Sequence, residues 1–200
     1  LRELVLATRN EGKVREFKEI MGDLPLKILS LNDFPAFPEI VEDGRTFEEN
    51  ALKKARALAA FSGDIAIADD SGLAVDALGG APGILSARYA GEGATDLENN
   101  LKLLDALEGV PLERRKGAFI CAIAVVSPDG KEEVVTGECR GRIGLEMRGS
   151  EGFGYDPIFV PDGFDKTFAE LGGEIKNRIS HRYRAIMALK TILAKNFSLL

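Results

Sequence analysis

With only two cysteines, one histidine and no apolar run of membrane-spanning length, this 200-residue chain excludes several classes of protein at the outset. Without a run of about 18 or more apolar residues it has no transmembrane helix candidate. The N-terminal residues lack the basic-then-apolar pattern of a secretory signal, so the expected location is the cytoplasm. Cys121 sits inside Phe119-Ile120-Cys121-Ala122-Ile123, the setting of a small core residue, and Cys139 falls on what reads as a neighbouring strand. Their spacing gives no zinc site, and a disulfide between them is compatible with the sequence without being implied by it. A net charge of −6 argues against general nucleic-acid binding. Repeats, low-complexity tracts and linkers are also missing, which points to one folding unit.

What is present is ordinary for a globular protein, with 45% hydrophobic and 29% charged residues. The charge is unevenly spread. From 175 to 200 there is no acidic residue, while Lys176, Arg178, Arg182, Arg184, Lys190 and Lys195 are basic. Such a segment suits an anion, although a solvated basic helix face would look the same.

The stretch Ile65-Ala66-Ile67-Ala68 reads as a short buried strand that runs directly into Asp69-Asp70-Ser71-Gly72. Unpaired buried carboxylates are costly, and a hard divalent cation that brings phosphate oxygens with it is the simplest partner for two of them. A solvated turn after the strand would explain the same residues.

Around this stretch the periodicity places strands at Leu4–Ala7, Lys27–Leu31, Lys116–Ser127, Glu132–Glu138 and Ile158–Val160, with Cys139–Met147 extending the sheet. Pro128-Asp129-Gly130 gives a hairpin signal. One helix carries Val14, Phe17, Ile20 and Met21 on a face. A second, opened by a Thr46/Glu49 capping box, carries Phe47, Ala51, Ala55, Leu58 and Ala59. A third follows Thr95/Glu98 with Leu97, Leu101, Leu104 and Leu107, and the last begins near Ser180 with Tyr183, Ile186, Met187, Leu189 and Leu193.

Between the first strand and helix, Thr8-Arg9-Asn10-Glu11-Gly12-Lys13 could present amides and positive charge to phosphate. It is not a Gly-x-x-x-x-Gly-Lys-Ser/Thr loop, and a plain strand-to-helix connection would need no ligand. The glycine-rich loop Gly149–Pro157 holds Phe153 and Tyr155, candidate stacking surfaces for a base.

Taken together, Ala68-Asp69-Asp70-Ser71-Gly72-Leu73, Gly79-Gly80-Ala81-Pro82-Gly83 with Ser86-Ala87-Arg88-Tyr89, Gly152-Phe153-Gly154-Tyr155-Asp156-Pro157 and Ser180-His181-Arg182 closely resemble the inosine triphosphate pyrophosphatases. These enzymes hydrolyse non-standard purine triphosphates, and the likeness covers essentially the whole chain. It implies an α/β fold, residues 1–200 forming a single domain: a long mixed β-sheet flanked by helices, in two lobes with a central cleft, related to the septum-inhibitor protein fold. It also implies a homodimer with neither nucleic acid nor membrane as partner. Thr8, Arg9, Asn10, Glu11, Gly12 and Lys13 match the family loop that holds the triphosphate. Glu42 and Asp70 match carboxylates that bind Mg²⁺, Asp70 being also the proton acceptor, and Asp69 would assist it. Ser71 would touch substrate, and Phe153, Gly154, Tyr155, Asp156, Lys176, His181 and Arg182 would bind the nucleoside.

Physical chemistry supports the division of labour. A cation on the phosphates offsets charge in the transition state, although ligation lowers the basicity Asp70 needs. Inosine and xanthosine carry a 6-oxygen where adenine carries an amino group, so donors from Lys176, His181 or Arg182 would be left unpaired by ATP. Two other readings stay open. One is a septum-inhibitor-type pyrophosphatase acting on pyrimidine triphosphates, disfavoured by Ser180-His181-Arg182. The other is a non-hydrolysing nucleotide sensor, disfavoured by Glu42, Asp69 and Asp70.

Overall fold

A computed structural model describes residues 2–197. The chain opens with β1 (Arg2–Leu6), α1 (Glu11–Met21), β2 (Leu26–Ser30), α2 (Phe47–Ser62) and β3 (Ala66–Val75). After these come α3 (Asp96–Ala106), β4 (Lys116–Val126), β5 (Glu132–Ile143), β6 (Phe159–Pro161), α4 (Phe168–Leu171), α5 (Gly173–Ile179) and α6 (His181–Asn196). One six-stranded sheet takes the order β2-β1-β3-β4-β5-β6. It is mixed, because β1 pairs parallel with β2 and β3 whereas β5 pairs antiparallel with β6. The α/β class is therefore as expected. Among the described residues no helix is long and apolar enough to cross a membrane.

Two compact units divide the chain. The first takes the residues up to Asp70, Cys121–Gly137 and those from Arg182 onward; the second takes Ser71–Ile120 and Glu138–His181. In the first, Leu4, Leu6, Phe17, Ile67, Cys121, Ile123, Ile186, Leu189 and Leu193 share one core. In the second, Leu73, Val75, Leu103, Leu107, Ile143, Ile158, Phe159 and Phe168 share another. Cys121 and Cys139 are both buried thiols rather than a disulfide.

Several boundaries move for physical reasons. β3 does not give out at Asp69 but runs on to Val75, so both aspartates lie in mid-strand. Glu132–Ile143 is one continuous strand, and the turn before it closes through Gly130 N–H to Ser127 O and Ser127 N–H to Lys131 O, each 2.9 Å. On α3 the expected apolar stripe is rotated. Leu97 and Leu101 are 54% and 48% exposed, whereas Asn99 and Asn100 are buried beside Leu103. The asparagines take the inner face because they have partners there: Asn99 bonds Ala87 O and Ala90 N–H, and Asn100 bonds Gly154 O. Met187 likewise lies on the outer side of α6.

The helix starts follow the capping signals in part. Thr46 accepts from Glu49 N–H, but the Glu49 carboxylate bonds Arg45 N–H instead of closing the box on Thr46. Thr95 and Glu98 form the complete reciprocal box.

Candidate active site

Successive residues of a strand face opposite ways, so β3 sends Asp69 and Asp70 into different surroundings. Asp69 is 1% exposed. It accepts from Lys13 Nζ at 2.6 Å, Arg182 Nε at 2.8 Å and Cys121 Sγ at 3.1 Å. Arg182 is itself buried, and its Nη1 donates to Glu16 on α1. Burial pushes the Asp69 carboxyl up, yet Arg182 and Lys13 outweigh it and hold the group well below the usual carboxylate range. Asp69 is thus a fixed anion. Burial and the Asp69 charge together push the Cys121 thiol well above its ordinary range, which keeps its proton available to the carboxylate.

Asp70 meets a different set. Its Oδ1 lies 3.2 Å from Lys54 Nζ, and the same ammonium is 3.2 Å from Glu42 Oε1 and 3.0 Å from the carbonyl of Asp69. The Glu42 and Asp70 carboxyls are in hydrogen-bond contact. Burial is the main cause that pushes Asp70 up to about 6; Glu42 adds to it, while Lys54 and Lys13 oppose it. Glu42 stays below its ordinary value, since Lys54 and the bond to Asp70 outweigh its own burial. Two neighbouring carboxylates therefore sit on opposite sides of normal, a separation suited to one proton acceptor and one permanent anion.

The alternative of a solvated turn after the strand is excluded by this burial. Glu42 and Asp70 are two carboxylates that could hold a hard cation. Their fit rests on donor chemistry: two adjacent oxygen ligands, partly compensated by a single ammonium. Among the described residues no group of three or more His, Cys, Asp or Glu side chains is arranged to hold a metal. Further ligands would have to be water or phosphate, as is usual for Mg²⁺.

The loop after β1 folds as a helix cap. Thr8 Oγ1 accepts from Asn10 N–H at 3.1 Å, and Asn10 Oδ1 accepts from Lys13 N–H at 3.1 Å. Val14 N–H closes the first turn on Asn10 O, which leaves the amides of Glu11 and Gly12 at the helix start for an anion. Arg9 departs from the expected cradle: its guanidinium bonds Leu31 O at 2.9 Å and Phe37 O at 3.1 Å, fastening the segment that leads toward Glu42. Arg182 departs as well, because the groups expected to meet a base are spent on Asp69 and Glu16. Its carboxylate partners win because a buried guanidinium needs charge on more than one edge.

In the second unit, the loop Gly149–Pro157 builds a separate cluster. Asp156, 1% exposed, accepts from Lys176 Nζ at 2.6 Å and from Phe153 N–H at 3.1 Å. Lys176 Nζ also lies 4.4 Å from the centre of the half-buried Phe153 ring, a cation–π arrangement. Gly152 has φ +79, and a Cβ there would stand 2.1 Å from Asp156 Oδ2, so only glycine permits the carboxylate its place. Gly154 is held from both sides by Asp96 Oδ2 and Asn100 Nδ2, each at 2.8 Å. Tyr155 is a structural member of this loop: it is buried, and its hydroxyl donates to Ser86 O at 2.6 Å. His181 is buried, stacked on Phe119 with ring centres 4.7 Å apart. Ser71 is half-buried, next to Asp70 on β3.

Sequence reasoning missed Glu16, Lys54 and Cys121. Glu16 was within reach, since it lies three residues after Lys13 and shares its helical face. Lys54 stands four residues after Asn50, whose Oδ1 accepts from Gly44 N–H at 2.8 Å, so one face of α2 serves the whole Glu42 segment. Nothing local marks Cys121, whose partner is 52 residues away.

Comparison with known proteins gives a consistent result. The family described as the Ham1 family matches residues 4–192. A dITP/XTP pyrophosphatase of Geobacter sulfurreducens is 57% identical over 187 residues, 94% of each chain. One from Desulforamulus reducens is 51% identical over 191 residues, 96% of this chain and 95% of that protein. Among solved structures, a HAM1 protein from Coxiella burnetii superposes with a TM-score of 0.87 at 43% identity, covering 98% of this chain and 100% of that one. The Staphylococcus aureus Ham1 protein gives 0.85 at 42% identity, over 96% and 98%.

Proposed function

Since the chain belongs to the Ham1 family, we propose that it hydrolyses non-standard purine nucleoside triphosphates (ITP, dITP and XTP) to the monophosphate and pyrophosphate, with Mg²⁺. Membership makes it a hydrolase of phosphoric anhydrides. The observation that carries the rest is the split between Asp69, locked as an anion by Arg182 and Lys13, and Asp70, raised to about 6 beside Glu42.

In this reading Glu42 and Asp70 would hold Mg²⁺, which would supply charge neutralisation to the reacting phosphates. Asp70 takes the proton of the attacking water; burial beside Glu42 raises it in the metal-free chain, which offsets the lowering that a bound cation would bring. Lys13 spans two tasks. Its backbone is fixed by the Asn10 cap, while its ammonium, 17% exposed, is tied to Asp69 and close enough to the open end of α1 to meet a phosphate. The amides of Glu11 and Gly12 add donors there.

Base selection falls to the second unit. Phe153 offers a ring to stack on, and Lys176, oriented by Asp156, offers a donor to a 6-oxygen. Against ATP that donor would face an amino group and lose its partner, a cost of about 1–3 kcal/mol. Initial rates on ITP, dITP, XTP, ATP, GTP and dTTP test the reading. ITP and XTP should exceed ATP by about tenfold or more. Equal rates on all six would remove the base-reading role, and a preference for dTTP would favour the septum-inhibitor alternative.

Lys176→Met is expected to lower the ITP rate and narrow the ITP-to-ATP ratio about tenfold, with thermal unfolding recorded alongside because Asp156 loses its partner. An unchanged ratio would take Lys176 out of base recognition.

A further inference from the structure

We infer that Lys54 is a built-in substitute for the metal: its ammonium holds the Glu42 and Asp70 carboxylates together until a triphosphate arrives, so that metal is taken up with the nucleotide and not before it. The inference rests on the reading of Glu42 and Asp70 as the metal-binding pair and deepens it.

Three observations converge. First, Lys54 Nζ donates to the Asp69 carbonyl at 3.0 Å and to Asp70 Oδ1 at 3.2 Å, and stands in ion-pair contact with Glu42 Oε1 at 3.2 Å. Second, the Lys54 and Asp70 side chains are only 12% and 10% exposed, while Glu42, at 35%, forms the side of the cluster that meets solvent. Water screens the Asp70 carboxylate poorly there, and the ammonium supplies part of the compensation it requires. Third, the described residues contain no set of three or more metal-ligating side chains. A cation entering without nucleotide would find two carboxylates already bridged by an ammonium, and would have to displace it without offering it a new anion.

A triphosphate changes both terms. Its oxygens complete the coordination that the protein leaves short, and they offer the displaced ammonium a new anion. Lysine suits this exchange because its charge sits on a flexible four-carbon stem and can swing while its helix stays in place. Arginine, with a rigid fork, would not serve as well. The opposite face of β3 shows the contrast: there Asp69 is gripped by Arg182, and that pair has no exchange to perform.

The test is Mn²⁺ binding, followed by electron paramagnetic resonance and calorimetry, to the wild-type protein and to Lys54→Met, with and without an ITP analogue that cannot be cleaved between the α and β phosphates. The wild type should bind Mn²⁺ weakly alone and at least tenfold more tightly with the analogue. Lys54→Met should bind Mn²⁺ alone at least tenfold more tightly than wild type and lose most of the gain from the analogue. Equal or weaker metal affinity in Lys54→Met, with normal uptake in the wild type plus analogue, would overturn the inference and leave the metal site intact. No uptake by the wild type even with the analogue would overturn the metal reading itself. A second measurement needs no variant: acylation of lysines read by mass spectrometry, with exposed Lys18 as internal reference. Lys54 should be protected in the metal-free protein and become several-fold more reactive at saturating Mn²⁺; unchanged labelling would overturn the exchange.

Discussion

Replacing Asp70 by asparagine is expected to cut kcat by about a hundredfold to ten-thousandfold, the usual contribution of a general base, and at the same time to stabilise the metal-free protein at pH 8. The second effect follows from the sign of the shift. Burial beside Glu42 raises Asp70 to about 6 in the folded chain, from an ordinary 3.8. The folded state therefore prefers the protonated form. Its benefit is complete below the ordinary value, declines as pH rises toward 6, and is absent above it. Asparagine carries no charge to bury, so its Tm should exceed that of wild type by several degrees at pH 8 and converge with it near pH 4. Unfolding in EDTA across that range reads the difference. A variant that keeps near-normal kcat would remove Asp70 as proton acceptor, and one with the same Tm as wild type throughout would show that the carboxylate is not under strain.

The second large effect concerns Arg182, whose guanidinium is buried between Asp69 and Glu16. Arg182→Met leaves two buried carboxylates without their main counter-ion, a loss of about 3–5 kcal/mol. For a chain of this size that is a Tm lower by roughly 10 °C. The sign with pH is opposite to that for Asp70. Asp69 is depressed in the folded state, so the pairing contributes above the ordinary carboxylate range and fades as pH falls through it. The deficit of Arg182→Met should accordingly be greatest near neutrality and shrink in acid. Adding Glu16→Gln should recover part of it, because one orphaned charge is then gone. A small, pH-independent deficit would contradict the ion-pair role and return Arg182 to the set of residues free to meet a base.

These two residues also mark how far the sequence could be read. Strand and helix identities were legible, since alternation and 3.6-residue periodicity survive in Leu4–Leu6 and in Phe17, Ile186 and Leu189. The aspartate pair stood out as a candidate site because two charges interrupt an apolar strand. Its division into a fixed anion and a raised acid was not. That depends on Lys13, Lys54, Cys121 and Arg182, which come from four different elements and carry no local signature. The α3 stripe failed for a related reason: Asn99 and Asn100 are buried by hydrogen bonds to loops, a tertiary gain that outweighs the burial of Leu97 and Leu101. Arg9 read as a phosphate contact because its charge is visible in the sequence, whereas the carbonyls of Leu31 and Phe37 that occupy it are not.

The most direct measurement is the product balance from ITP with Mg²⁺, with nucleotide, pyrophosphate and orthophosphate quantified separately in the first turnovers. One pyrophosphate should accompany each inosine monophosphate, with no orthophosphate and no diphosphate, and chelating the metal should stop both products together. Orthophosphate released alongside inosine diphosphate would mean that the carboxylates around Asp70 serve a different cleavage.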